Sequence, residues 1–427
     1  MTLNTLREGQ FKLNRFELSA PGGRSVGLAP ICARADIYES VLEPHVIAEF
    51  VIVDKLGVYN RFNFEEQKIT ISFTTYEENE DASVEYEFYP LPVDAGVSLP
   101  DGKGIVFNVT CVTREAKKNL DILNAPLVRQ KTESQKIVEA MLSILETDKQ
   151  YFFEETQGLH AFNFTGMTPF EAIDLVRLKT MSKNYSGHCF LFYENSKGFH
   201  FKSFEKLIDD GKKKIGDKYF MQFPVAQLNI EASKWRNILG FKVVQTGNQN
   251  IMRAIGAGKV LIKRKNTITG GFEDFEIDQR KLDFVRLNEN SISSNAETAN
   301  EVSENESRVK LVYYDPTIEE SDAATADVTR PYFMRHMLNT VAHITIFGDS
   351  TITIGDVIAA EIPEHDALTL GEQNPYKKSS DIVSGNYLVT KCRHILTFNE
   401  GAQYIQGLEI IKDGYGGTVP NASFTLA

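Results

Sequence analysis

The chain has 427 residues, more than one hydrophobic core normally serves, and 42% of them are hydrophobic, enough to pack several cores. Its 58 acidic and 46 basic residues leave a formal charge of −12, which excludes a surface built to hold nucleic-acid phosphates. The longest basic run, Lys212-Lys213-Lys214, reads as a solvated turn. Four cysteines, Cys32, Cys111, Cys189 and Cys392, fall without a CxxC pair, the pattern of free buried thiols in a reducing compartment. No basic segment leads into an apolar stretch at the start, and no run approaches the ~18 apolar residues of a membrane helix. The expectation is a soluble chain made in a cytoplasm, without membrane insertion.

In chain order, residues 24–37, 44–53, 67–75, 84–91 and 104–114 are rich in β-branched and aromatic residues and are separated by Gly-, Pro- and Asp-containing turns. Lys68-Ile-Thr-Ile-Ser-Phe-Thr and Val106-Phe-Asn-Val-Thr-Cys-Val alternate with period two, as half-buried antiparallel strands do. The pattern changes at Thr132-Glu-Ser-Gln135, which reads as a capping box before Ile137, Val138, Met141, Leu142 and Leu145 at helical spacing. A second box, Thr168-Pro169-Phe170-Glu171, carries Pro at the first helical position, and Phe170, Ile173, Val176 and Met181 read as one stripe behind it.

Next comes Phe190-Leu-Phe-Tyr-Glu-Asn-Ser-Lys-Gly-Phe-His-Phe-Lys202. With Glu194–Lys197 as a four-residue loop, Phe192 faces Phe199 and Phe190 faces Phe201, so all four rings share one face. That register puts His188 on the aromatic face and His200 on the other, and the stretch reads as a structural hairpin. Strands resume at 237–246, 252–255, 260–264 and 272–277, after Trp235. Residues 288–307 hold five Glu and neither Lys nor Arg, and read as a flexible excursion. A helix-like 335–341 precedes strands at 342–347, 350–354, 357–362, 386–396 and 403–411. The Gly-rich tail from Lys412 reads as extended or mobile.

Motifs for chemistry are few. Ile255-Gly-Ala-Gly-Lys259 fails as a phosphate-binding loop because Val260 stands where Ser or Thr must hold the metal. His-Glu-x-x-His, zinc-type Cys/His spacing and Gly-x-Ser-x-Gly are absent. Glu154-Glu155 and Asp209-Asp210 read as solvated pairs rather than glycosidase carboxylates. His336, His343 and His394 each read as a solitary structural histidine in apolar surroundings. No catalytic, cofactor or metal residue is expected, so the chain reads as a non-enzyme.

Five segments together resemble the baseplate central hub proteins of contractile-tailed bacteriophages, which are related to the hub part of type VI secretion spike proteins. Ala125-Pro-Leu-Val-Arg, Phe164-Thr-Gly-Met-Thr-Pro-Phe-Glu-Ala-Ile-Asp and the aromatic hairpin resemble the middle domain of that family. Ile344-Thr-Ile-Phe-Gly-Asp-Ser-Thr-Ile-Thr-Ile-Gly-Asp-Val-Ile and Gly385-Asn-Tyr-Leu-Val-Thr-Lys-Cys-Arg-His-Ile-Leu-Thr resemble its second barrel. The likeness implies an α+β, mainly antiparallel β fold with two tail-tube-like β-barrel domains flanking a small α+β domain. The barrels would span 1–125 and 211–412, the α+β domain 126–210, with an acidic insertion at 288–328 and a tail at 413–427.

The resemblance further implies a homotrimer whose six barrels form a pseudo-six-fold ring in the virion baseplate. That ring would join a hexameric tail tube to a separate trimeric central spike, with wedge or tape-measure proteins as further neighbours. DNA would pass through its bore without specific binding, and an acidic lining suits that passage. A carbohydrate-binding adhesin is the alternative reading, and a cell-wall hydrolase the third. Tyr415 and Phe424 in the tail are the candidate partner contacts.

Overall fold

The computed structural model describes residues 9–20, 23, 25–61, 67–76, 82–91, 96–100, 102–123, 125–216, 218–221, 236–245, 259–278, 282–288, 290–291, 308–314, 323–363, 380, 382–398 and 401–415. The fold is mainly antiparallel β with helices set beside the sheets, as the sequence patterning leads one to expect.

The first half is built from Lys12–Ser19, Ser25–Gly27, Cys32–Ser40, Ile47–Asp54, Lys68–Thr74, Val84–Pro90, Val97–Ser98 and Ile105–Thr113. Period-two alternation produces its core: in Ile47–Asp54 the side chains of Ala48, Phe50 and Ile52 turn inward and are buried. The strand expected over 24–37 is split in two. Leu28 accepts backbone hydrogen bonds from Ile31 (3.0 Å) and Cys32 (2.9 Å), which bends the chain between the pieces. Lys12–Ser19 precedes them and pairs with Lys68–Thr74.

The second half forms a closed ring of six strands. Gly385–Thr397 pairs with Val357–Glu361, which leads through Tyr219–Met221, Asn237–Gln245, Thr340–Phe347 and Gln403–Lys412 back to Gly385–Thr397. Tyr219–Met221 runs parallel to both of its neighbours, an exception to the antiparallel rule. The stretch expected as a strand at 350–354 is a turn, because Asp349 holds it: its carboxylate accepts from the Thr351 amide (2.9 Å) and its carbonyl from the Ile352 amide (3.1 Å). Residues 252–255 and Trp235 lie outside the described residues.

Between the halves in chain order come the helices Ser134–Ile144, Pro169–Lys179 and Phe204–Lys212 and a three-stranded sheet. Pro169–Lys179 begins on the expected box: Thr168 Oγ1 accepts from the Glu171 amide (3.4 Å) and the Glu171 carboxylate from the Thr168 amide (2.8 Å). Met181 is buried beside the stripe but belongs to a short strand beyond the helix end. The box expected at Thr132 does not form. The helix there starts one residue later, with Glu133 at its N-cap, and the Thr132 hydroxyl instead donates to the Gln130 carbonyl (3.0 Å).

The aromatic hairpin has a two-residue turn, Ser196-Lys197, in place of the expected four-residue loop. The Asn195 side chain accepts from the Lys197 amide (2.9 Å), and Gly198 adopts φ 139° with the Gln150 carbonyl so near that a Cβ would lie 2.3 Å from it. Phe192 therefore lies across from Phe201 and Tyr193 from His200. The slip is of two residues, so every side chain keeps its face. The four phenylalanines still gather, with Phe192–Phe199 centroids 5.6 Å apart and Phe190–Phe201 5.0 Å, now as diagonal neighbours. Gln150–Phe153 adds a third strand, parallel to Gly198–Ser203.

A separate small sheet places Lys259–Asn266 between Phe272–Asp278 and Arg308–Tyr314. The 288–328 stretch is thus not one excursion: Asn290–Ser291 and Arg308–Tyr314 are strands, and a helix begins at Ala323 and runs to Met337. That helix replaces the one expected at 335–341. Residues 292–307 lie outside the described residues.

The two boxes make a paired test. Thr168→Ala should lower the unfolding free energy by about 1 kcal/mol in urea titrations, whereas Thr132→Ala should leave it within about 0.5 kcal/mol.

Candidate functional site

Gly385–Thr397 is the strand on which the two halves meet. Its Leu388–Thr397 portion pairs with Gln403–Lys412, and on the other edge Lys391–Thr397 pairs with Cys32–Ser40 of the first half. Phe398, just beyond it, stacks on Phe16 (5.3 Å) and packs edge-on against Phe11 (5.9 Å), so the first core is completed by the far end of the chain. Leu396 and Tyr404 belong to that core as well.

On the inward face of this junction the period-two spacing of Cys392-Arg393-His394 aims both outer side chains the same way. They meet Glu39 from the neighbouring strand, and all three are buried. His394 Nε2 lies 3.4 Å from Cys392 Sγ and 3.5 Å from Glu39 Oε2, while Nδ1 lies 2.6 Å from the Tyr404 hydroxyl. Tyr86 (2.7 Å) and Thr353 (2.8 Å) donate to the Glu39 carboxylate. Burial alone would raise that carboxyl, but the contacts with His394, Tyr86 and Thr353 outweigh it and hold the group below its ordinary value. Burial drives the Cys392 thiol well above its ordinary value. His394 is therefore not a solitary histidine in apolar surroundings: its partners come from segments far apart in sequence.

The cluster continues into a polar seam. Gln406 Nε2 donates toward Cys392 Sγ (3.6 Å) and to the Ile352 carbonyl (3.3 Å), and its oxygen accepts from the Asp349 amide (2.8 Å). Asp349 accepts from Tyr76 of the first half (3.2 Å) and Tyr219 of the second (3.4 Å). Thr75 and Ser350 join hydroxyl to hydroxyl at 2.9 Å. Gly348, in the strand-turn-strand motif, is required by packing: a Cβ there would lie 2.0 Å from the Tyr404 ring.

Three further contacts fasten the helices and hairpin of residues 126–212 to the rest of the chain. Lys149 Nζ bridges Glu115, at 2.6 Å, and Glu194 of the hairpin, which also accepts from Thr113 Oγ1 at 2.7 Å. One ammonium faces two buried carboxylates. Glu115, despite its burial, is held below its ordinary value by Lys149, whereas burial keeps fully enclosed Glu194 raised. Arg330, on Ala323–Met337, donates to the carbonyls of Thr180 (2.8 Å), His188 (2.7 Å) and Leu178. Leu178 and Thr180 mark the C-terminus of Pro169–Lys179, the end at which a cation is stabilising. Glu205 accepts from the amides of Gly187 (2.6 Å) and Val285 (3.2 Å), tying Phe204–Lys212 to the 282–288 segment. Burial pushes its carboxyl up to about 7.

The other candidate residues are dispersed. Glu154-Glu155 is not a solvated pair: Glu155 is exposed, but Glu154 is buried and accepts from the Ser203 amide and hydroxyl, both at 2.7 Å, because the start of Phe204–Lys212 folds over it. Asp209 and Asp210 pair with Lys213 and Lys206 at 2.8 Å each. His343 is exposed and lies 3.5 Å from Glu409; His336 is buried, with Asp413 near it. All four cysteines are buried and free. The tail is anchored at its start rather than mobile. Asp413 accepts from the amides of Leu287 (2.8 Å) and Asn288 (3.2 Å), Lys412 Nζ donates to the carbonyls of Ile382 (2.6 Å) and Ser384 (2.9 Å), and Gly414–Tyr415 pairs with Asn290–Ser291. The Tyr415 backbone is thus engaged within the chain, and Phe424 lies outside the described residues.

No protein-family model matches this sequence, and no curated protein does. The structure is similar to the tail protein from Neisseria meningitidis MC58, at 9% identity over 93% of this chain and 97% of that one, with a TM-score of 0.55. It also matches the 43 kDa tail protein of prophage MuSo2 from Shewanella oneidensis (11% identity, 95% and 99% coverage, TM-score 0.48). A third match is the E. coli c3393 protein, described as a component of the type VI secretion system with structural similarity to bacteriophage T4 tail proteins gp27 and gp5 (10%, 94% and 76%, 0.40). The first match carries the fold: this chain has the fold of a tail protein along nearly its whole length.

Two outcomes follow from the fastening contacts. Arg330→Ala strips three carbonyls of a charged donor and should cost about 3 kcal/mol or more in denaturant unfolding. Glu205 binds its proton more tightly folded than unfolded. Its contribution is full below pH 4.5 and is lost as the pH rises through about 7. Unfolding free energies of the wild type should fall across that window relative to Glu205→Gln.

Proposed function

We propose that this chain is a structural component of a phage-type tail baseplate, its central hub, acting by shape and symmetry without catalysis. Three copies would form a pseudo-six-fold ring that seats a hexameric tail tube on one side and a separate trimeric spike on the other, with DNA passing through the bore. The observation that carries this reading is the edge-to-edge fusion of two β-rich halves into one 14-stranded sheet through Gly385–Thr397. Such a fusion fixes the spacing of two tube-like units within a single chain, so that three chains can supply six.

Other features support the reading. Leu120, Leu123 and Leu127 stand exposed along the link from the first half to the middle domain, apolar surface suited to cover by a neighbour. The formal charge of −12 suits a bore that must let DNA slide rather than hold it. The middle domain is fastened to both halves by Lys149, Arg330 and Glu205, as a rigid ring element needs. Assembly into a virion baseplate, with the tube and spike proteins as partners, completes the proposal.

Light scattering coupled to size-exclusion chromatography should give three times the chain mass, and the trimer should co-sediment with its cognate tube and spike proteins. A stable monomer that binds neither would overturn the proposal.

A further inference from the structure

We propose that Glu39, Cys392 and His394 form a buried three-ligand metal site, with Zn²⁺ as the cation their chemistry suits best, pinning the two halves of the chain together. The three residues offer one carboxylate oxygen, one thiol sulfur and one imidazole nitrogen, all within 4.8 Å of one another. In a tetrahedral zinc site with ligands ~2.0–2.3 Å from the metal, neighbouring ligand atoms stand roughly 3.3–3.8 Å apart. The Nε2–Sγ distance of 3.4 Å and the Nε2–Oε2 distance of 3.5 Å fall in that range. The same Nε2–Oε2 distance is too long for a good N–H···O hydrogen bond, which prefers ~2.7–3.2 Å. Without a metal the Cys392 thiol and His394 Nε2 satisfy each other at 3.4 Å; once the thiol proton leaves for solvent, thiolate, imidazole and carboxylate converge on one buried point that a cation can fill.

The surroundings are those of a ligand set rather than of a loose polar pocket, because every ligand has its own outer partner. When the Tyr404 oxygen accepts from His394 Nδ1–H across their 2.6 Å contact, Nε2 turns a lone pair toward Cys392 and Glu39, the tautomer that metal binding would select. Tyr86 and Thr353 orient the Glu39 carboxylate, and Gln406 directs its amide N–H toward the Cys392 sulfur. Gln406 cannot turn its oxygen inward without losing its bonds to the Asp349 amide and the Ile352 carbonyl, so it supports the thiolate from outside the ligand set. Charge also balances: a divalent cation with one thiolate, one carboxylate and a neutral imidazole is neutral, which avoids burying net charge. On binding, Cys392 releases its thiol proton to solvent and the sulfur–metal bond replaces it. Soft sulfur with nitrogen and oxygen favours zinc over magnesium or calcium. Three protein ligands leave the fourth position open to an exchangeable ligand, unlike the closed four-ligand set of a purely structural zinc site.

Glu39 belongs to the first half, and Cys392 and His394 to the strand shared with the second. The ion would therefore act as a cross-link at the seam, independent of whether the assembly is a tail hub.

The wild-type chain, expressed with zinc in the medium, purified without chelator and passed over a desalting column, should carry about one zinc per chain by elemental analysis. Refolding with Co²⁺ should give the intense thiolate-to-cobalt absorption and visible bands of a tetrahedral site. Cys392→Ser should abolish the thiolate band, and Glu39→Gln should lower metal content several-fold. Cys111→Ser, at a cysteine buried in the first core away from the seam, should leave both unchanged. If either seam variant fails to fold, the wild-type metal content and cobalt spectrum decide alone. A folded wild-type chain that holds no zinc and gives no thiolate-to-cobalt absorption overturns the proposal, as does metal retained in full by a folded Cys392→Ser chain.

Discussion

The backbone ladder between Lys391–Thr397 and Cys32–Ser40 is the contact on which the rest of the architecture depends. It turns two sheets into one continuous surface and leaves the first half incomplete without the second. Gly385–Thr397 serves both sheets: it closes the ring of the second half, and the first core needs Leu396, Phe398 and Tyr404 to finish it. An unpaired Cys32–Ser40 edge would present open N–H and C=O groups, a liability in any sheet protein. Here the edge is used up internally, and with it the freedom of the halves to shift against each other.

Side-chain chemistry at the seam follows from that ladder. Because neighbouring strands stand ~4.8 Å apart, residues on facing strands must be satisfied jointly. Polar groups are costly in such a place unless every one finds a partner. The seam meets that demand with linked hydroxyls, carboxylates and amides from Thr75 to Gln406. Such a network penalises sliding in a way that an apolar interface does not, since a shift of one residue would strand several buried donors and acceptors at once.

Much of this was legible in the chain's patterning, and the misses have identifiable causes. Period-two alternation places most of the long strands to within a few residues, but not Lys12–Ser19, which precedes the first expected strand, nor Arg308–Tyr314, which lies in the expected insertion. The Thr168 box is legible because its partners are three residues apart. Thr132 carries the same local pattern but loses it to the Gln130 carbonyl, a choice set by the approaching strand. In the hairpin, side-chain face was predictable and register was not, because face depends on parity while register depends on one turn. The Glu39–Cys392–His394 cluster was invisible for a different reason: its members are about 350 positions apart. The available signal was the x-Cys-x-His-x spacing on a strand, which places both groups on one face, but nothing local names the third partner.

The distance in sequence between the members of the central ladder has a kinetic side. Arg393 binds Asp36 across 357 positions, so the first sheet must wait for nearly the whole chain before its last edge is covered. Contacts of such separation are entropically expensive to close and slow to form. During synthesis, the first half would persist with an open edge until the shared strand arrives. The exposed interval, rather than the finished molecule, is where misassembly would begin, and rapid capture of that strand is the step that ends it.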